Sequence, residues 1–92
     1  MTTYISTNTT TYVHKVPGNI VNFTLGNTIA STITLYNGIV SGDVASGNII
    51  GVLEASTKPG QYFTGLTFST GLIVVTAGAS DITIQTSGSL NI

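Results

Sequence analysis

Few side chains in this sequence could carry chemistry. There is one histidine, His14, and three carboxylates, Asp43, Glu54 and Asp81; the cations are Lys15 and Lys58, and cysteine and tryptophan are absent. Nucleophilic catalysis needs a base against a nucleophile and a third group that orients the base. His14 has no carboxylate close to it in the chain and stands beside Lys15, so it reads as a solvated histidine. Acid–base work by paired carboxylates would have to assemble Asp43, Glu54 and Asp81 from distant parts of the chain. Asp43 lies in a Gly/Ser-rich loop, but a calcium site draws on several acidic ligands and this loop offers one. Asp81 follows Gly78, Ala79 and Ser80 and reads as a turn residue whose carboxylate bonds backbone amides. The glycines form no GxxxxGK[ST] or GxGxxG loop ahead of a helix, so no phosphate cradle is present. The expectation is a non-enzyme, with no catalytic residue, no metal and no cofactor.

The aromatic residues are Tyr4, Tyr12, Tyr36, Tyr62, Phe23, Phe63 and Phe68. Exposed tyrosines stack on sugar rings, which keeps a carbohydrate-binding module among the alternatives. Without tryptophan, and with few amides or acids grouped near a tyrosine, core or subunit-interface positions fit these rings better. Asn8-Thr9-Thr10 and Asn22-Phe23-Thr24 match the glycosylation pattern, as chance allows in so threonine-rich a chain.

The charge content narrows the partners. Five charged residues, two Lys and three Asp or Glu, make up 5% of the 92 residues, against roughly 25% in an average domain. Two lysines cannot form the basic stripe that nucleic acid requires. No apolar run approaches the roughly 18 residues of a membrane span, and the N-terminal residues show no export signal. Thr, Ser, Asn and Gly supply the polarity instead. Such a surface is cheaper to desolvate than a charged one, and interface cores are depleted in charge. A chain this short, with no disulfide available, gains stability most readily by association. A surface largely covered in an assembly is therefore expected.

The elements that would position these residues are all strands. The densest signal is residues 60–86, where apolar runs at 62–68, 72–76 and 81–86 alternate with Gly-containing turns. Upstream, residues 20–25 alternate with Val21, Phe23 and Leu25 inward. Residues 29–36 alternate with Ile29, Ile33 and Leu35 on one side, and Asn37-Gly38 marks a turn. Residues 38–48 read as a loop with a short edge strand at Ile39-Val40. Residues 49–55 form a strand that the apolar pattern buries on both faces for part of its length. Lys58-Pro59-Gly60 turns the chain again. Residues 1–16 are extended and Thr-rich with two polar faces, a pattern that specifies register poorly. No helical period is visible. The fold class is all-β: an antiparallel β-sandwich or jelly-roll-like barrel of about seven strands, with an extended N-terminal arm over residues 1–16 and a single β-sandwich domain over residues 17–92. Its core is expected from Phe23, Ile33, Leu35, Leu53, Phe68, Leu72 and Val74.

Residues 31–86 resemble small structural proteins of tailed-bacteriophage virions, including capsid cement (decoration) proteins. The resemblance lies in Leu35-Tyr36-Asn37-Gly38, in Gly65, Phe68, Gly71 and Leu72, and in Val74-Val75-Thr76. It implies a virion protein made in the host cytoplasm, a homo-oligomer with a trimer favoured, and a major capsid protein or other virion proteins as partners. A tail, neck or fibre-base protein of the virion is the alternative. On this reading the arm (Tyr4, Ile5, Tyr12, Val13) and the tail (Leu90, Ile92) reach the neighbours, with no nucleic acid or membrane involved.

Overall fold

The computed structural model describes residues 2–7, 9–29, 31–78 and 81–87. Their order is β1 (Thr2–Ile5), β2 (Thr10–His14), β3 (Gly18–Leu25), β4 (Ile33–Asn37), β5 (Ile49–Leu53), β6 (Gly60–Tyr62), β7 (Thr67–Phe68), β8 (Leu72–Thr76) and β9 (Ile82–Ser87), with 3₁₀ turns at Ser41–Asp43 and Ser46–Asn48. Two antiparallel sheets pack face to face. The first runs β1-β9-β3-β6, with β7 also paired to β3; the second runs β2-β8-β4-β5. Every strand except β6 carries at least one buried side chain, and the chain is an all-β sandwich, as the alternation predicts.

The seven core residues expected from the pattern are all buried, joined by Ile5, Val13, Ile20, Leu25, Ile29, Ile82 and Ile84. Strand β9 shows the period most clearly: Ile82, Ile84 and Thr86 are buried, and Thr83, Gln85 and Ser87 are exposed. Strand β3 departs from its expected phase. Ile20 pairs with Thr86 and Asn22 with Gln85, so Val21 is the extra residue of a β-bulge. The bulge leaves Ile20 fully buried and Val21 37% exposed, the reverse of strict alternation from Phe23. On its other edge β3 pairs with β6 through Phe23–Leu25 and with β7 through Gly18 and Asn19. Between them the Ile20 amide and carbonyl bond Leu66 O and Gly65 N, both at 2.8 Å. The run at 62–68 is thus two short strands bent about positive-φ Phe63 and Gly65.

The N-terminal residues are extended, as expected, but lie within the sandwich. Strand β1 pairs with β9 and β2 with β8, one in each sheet. Ile5 and Val13 are 3% and 1% exposed and belong to the core. Threonine-rich strands find their register here because each carries one apolar anchor facing inward. Thr76, buried in β8, fastens the crossover between them. Its hydroxyl bonds the Thr7 carbonyl and accepts from the Thr9 amide at 3.0 Å, and its own amide donates to Thr9 O at 2.9 Å.

Two further expectations are corrected. Residues 39–40 are not an edge strand. They lead into a loop in which the Asp43 carboxylate accepts the Ile39 and Val40 amides at 2.9 and 3.3 Å. Strand β5 is not covered on both faces: it lies at the edge of the second sheet, pairs with β4 alone, and leaves Ile49 and Val52 exposed.

Candidate association surface

The residues that could do chemistry are not brought together. His14 is not solvated: it is 1% exposed, at the end of β2. Its Nδ1 lies 2.8 Å from the Val16 carbonyl, so it donates there, and its ring packs edge-on to Phe68 with centroids 5.2 Å apart. Nε2 is buried without a hydrogen-bond partner. The pattern of β2 hid this, because a bulge between Tyr12 and His14 turns two successive side chains, Val13 and His14, out of solvent. Asp43 is engaged with backbone amides in its own loop. Among the described residues no group of three His, Cys, Asp or Glu side chains could hold a metal ion. No pocket indents the described surface.

The residues expected to reach partners divide by strand phase. Tyr4 and Tyr12 are exposed, whereas Ile5 and Val13 are inside the protein's own core and cannot reach a neighbour while this fold persists. Leu90 and Ile92 lie outside the described residues. Asp81 acts partly as the sequence implies: its carbonyl accepts the Gly26 amide at 2.8 Å and its carboxylate takes the Asn27 side-chain amide at 3.4 Å. The carboxylate also hydrogen-bonds the Tyr4 hydroxyl. That bond, with partial desolvation and the negative charge of Asp81, raises the Tyr4 pKa above the usual 10.0.

The surface that sequence reasoning missed is the outer face of the second sheet. Directly paired residues of an antiparallel ladder share a face. Tyr12 pairs with Ile73, Ile73 with Tyr36 and Tyr36 with Ile49; one step along, Thr10 pairs with Val75, Val75 with Thr34 and Thr34 with Val52. Two rows, Tyr-Ile-Tyr-Ile and Thr-Val-Thr-Val, therefore cross all four strands. Ile73 is 0% exposed yet lies outside the core cluster. On this outer layer Tyr12 and Tyr36 flank it in register. None of the eight side chains carries a charge at neutral pH. Beyond the end of β4, Ile39 and Val40 add two more exposed aliphatic side chains.

The size of this face sets what it can do. Four strands about 4.8 Å apart and five residues at about 3.4 Å give a footprint of roughly 300 Å². That is below the roughly 800 Å² per partner of a standard stable interface. A face of this size would hold a partner only weakly by itself, since tight attachment through so small an area needs several copies acting together. No family model, curated protein or solved structure matches the chain.

Proposed function

We propose that the protein is a non-enzymatic structural component of a tailed-bacteriophage virion, a capsid decoration protein that attaches to the outer shell and stabilises the head. The observation that supports this reading is the uncharged, half-apolar face of the second sheet. Placing it against another protein requires no ion to be desolvated, and its Tyr, Ile and Val side chains supply the apolar contact on which interface cores rely. The virion setting rests on the resemblance of residues 31–86 to phage structural proteins. Mechanistically, each copy contributes one weak contact. Oligomerisation, with a trimer favoured, multiplies that contact by raising the effective concentration of the remaining sites once the first is engaged.

The test is to purify phage particles from the organism that carries the gene and count copies of the protein by quantitative mass spectrometry. Hundreds of copies spread over the shell support decoration. A small ring multiple at one vertex assigns the protein to the tail, neck or fibre base instead, and particles without it overturn the virion reading. Val52→Lys places a cation on the exposed face and touches no core residue. The variant protein is expected to fold normally and to lose occupancy on particles that it is added to.

A further inference from the structure

The two outer faces of the sandwich differ in chemistry, and the second of them points to another ligand. On the first sheet Tyr4 pairs with Thr83, Thr83 with Thr24 and Thr24 with Gln61. This row is made of hydroxyls and an amide, with no aliphatic side chain in it. At its β1 end the Tyr4 side chain is 60% exposed; Asp81 stands beside it, and Asn27 stands against Asp81. The Asp81 carboxylate bonds the Tyr4 hydroxyl and receives the Asn27 amide at 3.4 Å. An ionised carboxylate offers about four acceptor positions, and Asp81 is half-buried, so part of the residue is open to solvent. Position 26 keeps the space open. A Cβ there would lie 2.4 Å from Asp81 Oδ2, so Gly26 lets the carboxylate lie close against the turn.

We infer that the Tyr4–Asp81–Asn27 cluster, continued by Thr83, Thr24 and Gln61, is a shallow binding site for a neutral polysaccharide chain. A sugar ring presents a C–H face that packs on an exposed aromatic ring and an edge of hydroxyls that bond carboxylates and amides; Tyr4 supplies the first partner, and Asp81, Asn27 and Gln61 supply the second. Charge selects the class of ligand. The row holds no cation and ends on a carboxylate, which disfavours anionic polymers. It lacks the apolar centre that protein interfaces rely on. Shape selects a polymer: without a concavity a small free sugar is not enclosed, whereas an extended chain lies across successive strands and gains contacts additively. The inference is independent of the virion assignment, because it uses the opposite face and no partner protein.

The experiment is affinity electrophoresis of the intact protein in native gels cast with a soluble β-glucan, a galactomannan, dextran or neutral lipopolysaccharide O-chains, with heparin as the anionic comparison. At least one neutral polymer is expected to retard the protein, with heparin giving no retardation. Tyr4→Ala and Asp81→Asn should each weaken the retardation about tenfold or more, while Tyr12→Ala, on the other face, leaves it unchanged. Circular dichroism verifies that the variants are folded, and Tyr4→Phe, which keeps the ring and loses the hydroxyl, should retain more binding than Tyr4→Ala. Absence of retardation by every neutral polymer overturns the inference. So does retardation that Tyr4→Ala and Asp81→Asn leave intact, or that heparin reproduces.

Discussion

Ile5→Ala is the sharpest test of how the N-terminal residues are held. If residues 1–16 were an arm seeking a neighbour, an isolated chain would leave Ile5 in solvent and its truncation would cost nothing. In the structure Ile5 pairs with Ile82 and is 3% exposed within the core. Removing three carbons from a buried isoleucine costs about 2–5 kcal/mol, depending on how far the site collapses. Strand β1 is at the edge of its sheet and held by β9 alone, so it can relax, and a value near 3 kcal/mol is expected. With roughly 4–8 °C of melting temperature per kcal/mol in a domain of this size, the midpoint should fall by about 12–24 °C. Urea unfolding and thermal unfolding, each followed by far-ultraviolet circular dichroism, measure the two quantities in turn. Val13→Ala, in the other sheet, should cost about 1.5 kcal/mol for its two fewer methyl groups. A change below about 0.5 kcal/mol in Ile5→Ala, the range of ordinary surface substitutions, would refute the assignment of β1 to the core.

Other perturbations test separate joints. Thr76→Val keeps the shape but strips the hydroxyl that ties the Thr7–Thr9 crossover to β8. It should cost about 1–3 kcal/mol in urea unfolding and speed hydrogen exchange at the Thr9 amide; unchanged exchange there would show that the crossover is held otherwise. Gly71→Ala should destabilise by roughly 1–3 kcal/mol, because its Cβ would sit 2.6 Å from the carbonyl oxygens of Gly38 and His14. Gly42→Ala, with nothing within 4 Å, should be neutral or slightly stabilising by the same denaturation measurement. The raised pKa of Tyr4 means that the folded state favours its protonated form. Its contribution to stability is therefore complete below the ordinary tyrosine pKa of 10.0 and is lost as pH rises through the folded value. The tyrosinate absorbance titration should move to lower pH in Asp81→Asn, where the charge beside Tyr4 is gone; identical titrations in both proteins would contradict the Tyr4–Asp81 interaction.

Pattern made much of the interior legible. Phe23, Ile33, Leu35, Phe68, Leu72 and Val74 reveal themselves by alternation within short runs, because each strand has one wet and one dry face. Val21 misled, because a bulge shifts phase without changing composition. His14 misled for the same reason: charge type and neighbours describe a solvated side chain, and only the bulge in β2 beside Phe68 buries it. The N-terminal strands were legible as extended but not as paired, since a threonine strand with one apolar residue per face can lie on any available edge.

Composition and alternation were enough, from the sequence alone, to establish an all-β chain, its main core residues and a surface short of charge. Which strands are neighbours was decided by the tertiary structure, and with it the two outer faces: Tyr12, Ile73, Tyr36 and Ile49 come from four separate strands and form a row only when β2, β8, β4 and β5 pair side by side. The reason is physical. Alternation reports what one strand presents to either side, whereas a surface patch depends on register between strands far apart in sequence, which the whole core sets at once.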